Sequence, residues 1–255
     1  MAASASDAEE FYALAVLIPV YDHEAAIGHT LEQVIRFEYP ILLVDDGSGE
    51  ACRELLIELS QEHAERVSLL RLDINRGKGG AVKAGFAELL ARGFTHAVQV
   101  DADGQHEVTD LPRFVAASQT NPQSLVTGCP QFDNVPKVRY YFRYLTHVWV
   151  WINTLSFALR DTMCGFRVYP LAGVCRMLTR ERCGDRMDFD IEVLVRWCWN
   201  NGAVINLPTR VHYPIDGVSH FEGWRDNLLI SWMHTRLFFG MLYRLPVILR
   251  RKFNV

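Results

Sequence analysis

Ala97-Val98-Gln99-Val100-Asp101-Ala102-Asp103-Gly104-Gln105-His106 is the stretch on which the fold turns, because a short run suited to a buried strand passes directly into two carboxylates one residue apart. Upstream, three further apolar runs each lead into a polar loop. Ala15 to Val20 runs into Tyr21 and Asp22, Ile41 to Val44 into Asp45, Asp46, Gly47 and Ser48, and Val67 to Leu72 leads to Asn75, Arg76, Gly77, Lys78, Gly79 and Gly80. Between these runs, Ile27 to Arg36, Cys52 to Ala64 and Gly80 to Arg92 read as helices. Strands of near-continuous Val, Ile and Leu alternating with helices predict an α/β fold with a mostly parallel central sheet covered on both faces. Ligands of such sheets gather beyond the carboxyl ends of the strands. Four loops are therefore expected to meet in one acidic, glycine-rich crevice.

The 255-residue chain is 49% hydrophobic and 22% charged, which excludes disorder, collagen and coiled coil as its organising principle. With 26 Lys and Arg against 30 Asp and Glu, the net charge of −4 gathers no polyanion, so no nucleic acid partner is expected. The six cysteines are dispersed without a C-x-x-C pair and read as reduced thiols. Met1 to Glu10 carries Asp7, Glu9 and Glu10 where a signal peptide would be basic, so a cytoplasmic protein is expected. No repeat or low-complexity linker interrupts the chain. One α/β domain over 11–215 and a C-terminal helical segment over 216–255 are predicted.

That segment is where a membrane enters the reading. Tyr144 to Leu159 is apolar, but as a helix it would reach only ~24 Å against ~30 Å of hydrocarbon, and it contains His147 and Asn153. Leu228 to Leu249 is long enough, yet Arg236 and Arg244 would each cost ~3 kcal/mol near the bilayer centre, cancelling apolar residues at ~0.5 each. From Phe221 onward, Arg225, Arg236, Arg244, Arg250, Arg251 and Lys252 mix with Trp224, Trp232, Phe238, Phe239 and Tyr243, a composition suited to an anionic leaflet. Peripheral association with the inner face of a membrane is expected.

At the crevice, alternate carboxylates Asp101 and Asp103 can face one hard cation, with Gln105 a third oxygen ligand. Mg²⁺ or Mn²⁺ sharing its remaining ligands with substrate phosphates accounts for such a pair at a strand end. Asp45 or Asp46 can accept from a base N–H or a ribose hydroxyl; D-D-G-S is also a good turn and helix cap. The glycine-rich turn before the third helix can bring backbone N–H groups to phosphate, with Lys78 adding charge. It lacks the P-loop order, and no G-x-G-x-x-G opens the first helix, so ATPase and dinucleotide oxidoreductase readings lose their support.

P-V-Y-D from Pro19, V-D-D-G-S from Val44, N-R-G-K-G from Asn75 and D-A-D-G-Q-H from Asp101 together resemble the nucleotide-sugar half of the family-2 glycosyltransferases, which have a GT-A fold. The second half is similar to their polyprenyl-phosphate branch, the dolichyl-phosphate mannose synthases and bacterial relatives, through Asp161 to Arg167 (D-T-M-C-G-F-R) and Gly217 to His220 (G-V-S-H). This resemblance implies that Pro19, Tyr21 and one of Asp45 or Asp46 hold the nucleoside of a UDP or GDP sugar, with Lys78 nearby. It implies that Asp101 and Asp103 bind metal and diphosphate, and Gln105 the metal. For the acceptor, a lipid or polyprenyl phosphate, it points to Arg167 and His220; Arg139 and Arg143, four apart on an expected helix, share one face and can clamp a phosphate. The pattern departs at Gly128, Cys129 and Pro130, where the mannose synthases carry an Arg, and at His220, which replaces a Lys. Both departures fall on the acceptor side.

The implied chemistry is a single displacement with inversion at the anomeric carbon. A hydroxyl acceptor would need a general base and a phosphate acceptor would not. The acids available for that role are Asp161 and, in D-F-D-I-E, Asp188, Asp190 and Glu192, of which Asp188 and Glu192 share a helical face while Asp190 points elsewhere. Two other functions compete. A sugar-nucleotide synthase would want a Gly- and Arg-rich loop straight after the first strand, which Tyr21 to Ala26 does not offer. A non-catalytic nucleotide-sugar-binding membrane protein would keep the pocket without turnover.

Overall fold

Every residue of strand β1 (Leu14–Val20) is buried; Leu14, Val16, Ile18 and Val20 pack into one hydrophobic cluster and Ala15 and Leu17 into the other. Successive strand residues face opposite sides, so this uninterrupted apolar run requires cover on both. The computed structural model, which describes residues 11–131, 137–211 and 223–253, supplies that cover. Helices α1 (Glu24–Val34), α2 (Glu50–Glu62) and α4 (Leu111–Thr120) contribute to the cluster on one face. The other face is covered by α3 (Lys78–Ala91), α5 (Lys137–Thr154), α6 (Leu171–Arg180), α7 (Phe189–Trp199) and α8 (Gly223–Phe253).

All four predicted strands are present, as β1, β2 (Ile41–Asp45), β3 (Val67–Arg71) and β4 (His96–Gln99), in one parallel block with β1 between β2 and β4. The block continues through β6 (Arg167–Pro170) and β5 (Leu125–Gln131) to β7 (Val204–Arg210), in the order β3-β2-β1-β4-β6-β5-β7. Strand β6 is antiparallel to both its neighbours, and β5 and β7 are parallel. The loops after β1, β2 and β4 consequently open on the same edge of the sheet, beside the turn that leads into α3. That helix starts at Lys78, two residues before its expected beginning, so the glycine-rich turn is wound into its first turn.

In the second half, polar residues that interrupt apolar stretches are used internally. Asn153, near the end of α5, is buried with its amide 3.3 Å from the ring of His234 on α8, and its carbonyl accepts from the Trp199 indole at 2.9 Å. Among the described residues no helix is long and apolar enough to cross a membrane. Two basic residues of α8 turn inward, whereas Arg225, Arg250, Arg251 and Lys252 are exposed. Arg236 lies 3.2 Å from Glu192 and 3.8 Å from Asp188, and Arg244 lies 3.3 Å from Glu181 and over the ring of Trp199. Arg251 donates to the Trp199 carbonyl at the end of α7, and Lys252 to the Leu155 carbonyl just past α5. Cations at helix carboxyl ends satisfy orphan carbonyls and complement the helix dipole. Outward, α8 exposes five aromatic residues, Trp224, Trp232, Phe239, Tyr243 and Phe253.

Candidate functional site

A cavity of about 680 Å³ opens at the strand ends. Its wall includes Pro19, Tyr21, Asp46, Lys78, Asp101, Asp103 and Gln105, so most of the donor-side residues expected from sequence meet there. The loop after β1 is fastened to the loop after β2, since Asp22 accepts from Gly49 N–H at 2.7 Å and Ser48 Oγ accepts from Asp22 N–H at 3.1 Å. Of the two adjacent acids, only Asp46 faces the cavity. Asp45 is fully buried, accepts from Ser48 N–H at 2.8 Å and is paired with Arg71, which corrects its expected place beside a nucleoside.

Asp46 also corrects the reading of the glycine-rich turn. Its two oxygens accept from the N–H groups of Arg76 and Gly77, each at 2.8 Å, and Gly80 N–H donates to the Asp185 carbonyl at 2.8 Å. These donors hold the protein together and do not cradle phosphate. Gly77, at φ +89°, serves a close approach: a Cβ there would lie 2.6 Å from the Asp185 carbonyl oxygen and 2.7 Å from Arg186 Cγ. Burial raises the Asp46 carboxyl above its usual range, and the two N–H bonds pull against it.

Lys78 spans the floor of the cavity, 2.9 Å from Asp101 and 2.8 Å from Asp190 on α7. Burial alone would lower its ammonium pKa, but the two carboxylates overcome that and raise it. Asp101 receives in addition the Gln99 amide and the His106 ring, both at 3.2 Å. Burial works against its charge too, yet Lys78 and His106 hold the carboxyl well below the usual range. A Cβ at Gly165 would sit 2.2 Å from an Asp101 oxygen, so the glycine of D-T-M-C-G-F-R admits that carboxylate.

Asp103, by contrast, has one bond among the described residues, from the Gln105 N–H of its own turn at 3.1 Å. With the Gln105 side chain on the same wall, it offers hard oxygen donors to a divalent cation. Among the described residues no group of three acidic, His or Cys side chains is placed to hold a metal ion unaided. The donor set fits an ion whose other ligands are phosphate oxygens, with Asp103 and Gln105 as its protein side and Asp101 committed to Lys78.

The second-half residues are placed differently. Arg167 has no exposed surface and donates to the Asp190 carbonyl at 2.7 Å, the Thr162 carbonyl at 2.8 Å and the Tyr169 hydroxyl at 3.2 Å. It cannot reach an acceptor, because all its surroundings are core. Asp161 is buried, accepts from the N–H groups of Met163 and Cys164 at 2.9 Å, and pairs with Arg143 at 2.6 Å and His147 at 3.1 Å. His147 and Arg143 outweigh the effect of burial and hold its carboxyl far below the usual range. Such a group is a poor proton acceptor, which removes Asp161 from the candidate bases. Asp188 and Glu192 do share a face, since both meet Arg236, while Asp190 turns to Lys78. Burial and the nearby Glu192 raise the Asp188 carboxyl. Arg139 lies on α5 with its side chain outside the described residues, as is the whole of Gly217 to His220.

Residues 15–184 match the sequence profile of Glycosyl transferase family 2. The chain belongs to that family. Dolichyl-phosphate beta-glucosyltransferase of Drosophila melanogaster is 28% identical over 204 residues, 71% of this chain and 61% of the relative. Undecaprenyl-phosphate 4-deoxy-4-formamido-L-arabinose transferase of Edwardsiella ictaluri is 32% identical over 119 residues, 44% of this chain and 36% of the relative. The chain spans about three fifths of the length of the glucosyltransferases it matches. Glucosyl-3-phosphoglycerate synthase from Mycobacterium tuberculosis, solved with Mn²⁺ and UDP-glucose, aligns with a TM-score of 0.66 at 14% identity over 90% of this chain and 79% of its own. That likeness is one of fold, and it is the GT-A-like fold the family-2 transferase motifs implied.

The cavity also contains residues that sequence reasoning missed. His23, Met163, Arg186, Met187, Arg225 and Asp226 complete its wall. Met163 lies inside a motif quoted for its neighbours, and Arg186 and Met187 stand just before the acidic cluster of α7. Arg225 and Asp226 arrive from the first turn of α8, which carries no local signal of a site.

Proposed function

We propose that the protein is an inverting glycosyltransferase that moves glucose from UDP-glucose to the phosphate of a lipid-linked, polyprenyl-type acceptor at the cytosolic surface of a membrane. The observation that carries the reading is the composition of one wall. The cavity with Asp46, Lys78, Asp101, Asp103 and Gln105 is closed on one side by the first turn of α8, the helix that bares Trp224, Trp232, Phe239 and Tyr243 outward. A polar donor site thereby adjoins an aromatic surface of the kind that settles at a lipid headgroup boundary. Arg236 and Arg244 are paired inside the protein, while the exposed Arg225, Arg250, Arg251 and Lys252 leave cations beside these aromatics for an anionic headgroup. The activities of the relatives, dolichyl-phosphate beta-glucosyltransferase and an undecaprenyl-phosphate sugar transferase, agree with it, and a protein of the same fold was solved with UDP-glucose.

In this reading Pro19, Tyr21 and Asp46 seat the nucleoside. Asp103 and Gln105 hold Mg²⁺ or Mn²⁺, which when bound neutralises charge on the diphosphate. Lys78 keeps Asp101 and Asp190 in fixed positions below the sugar. An acceptor phosphate oxygen forms the new bond to the anomeric carbon as the bond to the β-phosphate oxygen breaks, and the electron pair leaves with UDP. The attacking group is already an anion, so no proton has to be removed, and Asp190 acts as a fixed negative charge beside a carbon that becomes oxocarbenium-like. Arg143, held by Asp161, and Arg139 one turn away lie on α5 for the acceptor phosphate, with His220 following from the segment before α8. The test is mass spectrometry of lipid extracts after incubation with UDP-glucose, with and without EDTA. A lipid phosphate heavier by one hexose, formed only without chelator, is expected; glucose released to water or found on a soluble acceptor would overturn the reading.

A further inference from the structure

The segment between α6 and α7 brings an arginine into the cavity that neither the motifs nor the proposed chemistry uses. Arg186 is half-buried in the cavity wall beside Met187. Its loop is held from several directions. Lys83 donates to the carbonyls of Cys183 at 3.1 Å and Gly184 at 3.0 Å and pairs with the Asp185 carboxylate at 2.5 Å. Gly184 N–H donates to the buried Glu192 at 2.8 Å, Gly80 N–H to the Asp185 carbonyl at 2.8 Å, and Arg186 N–H to Asp188 at 3.2 Å. The side chain then lies against Gly77, where a Cβ would meet its Cγ at 2.7 Å. The backbone that carries Arg186 is thereby ordered before a ligand arrives, which spares that part of the entropy cost of binding.

Its position within the cavity is specific. Its Cγ packs against Gly77, whose own N–H is bonded to Asp46 at 2.8 Å; its charge opposes the rise in the Tyr21 and Asp46 pKa values that Asp22 and burial cause. Arg186 is therefore rooted beside Asp46, at the end of the cavity that Asp46 shares with the close of β1, where Pro19 and Tyr21 lie. A guanidinium carries a planar fork of donors suited to carbonyl oxygens, and no acceptor.

We propose that Arg186 reads the base of the sugar nucleotide, donating to the base carbonyl oxygens, and is not a phosphate clamp. This rests on the proposed nucleotide-sugar reading. Calorimetric titration of UMP and UDP into the wild-type chain and into Arg186→Gln and Arg186→Lys, with Mn²⁺ present throughout, tests it. Both substitutions are expected to weaken UMP and UDP by the same factor, about tenfold, because the base is common to the two and a lysine lacks the fork. A loss much larger for UDP than for UMP, or a lysine variant that binds like wild type, would show a charge contact to phosphate and overturn the assignment; unchanged affinities would overturn it outright. A wild-type chain that binds neither nucleotide sinks the proposed function instead, so the two failures are distinguishable.

Discussion

The two halves of this molecule are equally rich in charged motifs and use them in opposite ways. In the first half, the side chains that follow β1, β2 and β4 reach the cavity because parallel strands deliver their carboxyl ends to one edge. In the second half, β6 runs antiparallel, and Arg167 at its beginning is brought level with Gln99 at the end of β4. It stands at the edge where the cavity opens, yet it points into the core and ties the Thr162 turn to α7. The lesson concerns topology. Charge after a strand of a parallel block faces a crevice by construction, whereas charge around a reversed strand has no such guarantee and can serve as internal bracing.

The comparison breaks most visibly if Arg167 is replaced. Arg167→Met removes the partner of two backbone carbonyls and of a hydroxyl at a fully buried position, and leaves Asp190 with less compensation. Losing one side of such a buried polar network costs about 3–5 kcal/mol, so the urea midpoint should fall steeply. If the variant melts like wild type and instead loses affinity for a lipid phosphate, Arg167 belongs to the acceptor site and the contrast between the halves is wrong.

Asp103 gives the mirror case, because it is bonded only within its own turn. Asp103→Asn should leave the melting temperature where it was and lower the proposed sugar transfer by about 10²–10³-fold, roughly 3–4 kcal/mol of transition-state stabilisation. The loss should come with weaker Mn²⁺ binding in the presence of UDP, read by titration. A drop in stability with unaltered turnover would place Asp103 with the bracing residues.

The same contrast explains what the sequence disclosed. The parallel block was legible because continuous apolar runs such as Ala15 to Val20 have one stable use, and the crevice followed from the ends of those runs. Asp45 misled because two adjacent acids on a strand end face opposite sides, and nothing local says that Arg71, across the strand pair, claims one of them. The glycines around Lys78 were legible as necessary but not in purpose, since the Asp185 and Arg186 backbone that crowds Gly77 comes from more than a hundred residues away. Asp161 and Arg167 carry no mark in sequence that separates a bound ligand from a buried partner. The inward pairing of Arg236 and Arg244 was illegible for the same reason: Glu192 and Glu181, which meet them, are far away in sequence.

The smallest effect sharpens the contrast at the α5–α8 contact. Burial lowers the His234 pKa from 6.5 to about 4, and its ring sits between Asn153 and Trp149. A histidine kept neutral by burial contributes stability that is complete above the unfolded pKa of 6.5 and is lost as pH falls toward the folded value of about 4. Between pH 7 and pH 5 the loss is about 2 kcal/mol. Carboxylates elsewhere titrate in part of this range, so the measurement is the difference between wild type and His234→Gln, which keeps an acceptor for the Asn153 amide but carries no titrating group. The wild-type unfolding free energy should fall more steeply than that of the variant from pH 6.5 downward, and the gap should stop growing near pH 4. Parallel curves would mean that the His234 ring reaches water in the folded chain, and that the contact between α5 and α8 is looser than the packing of Asn153, Trp149 and Trp199 around it requires.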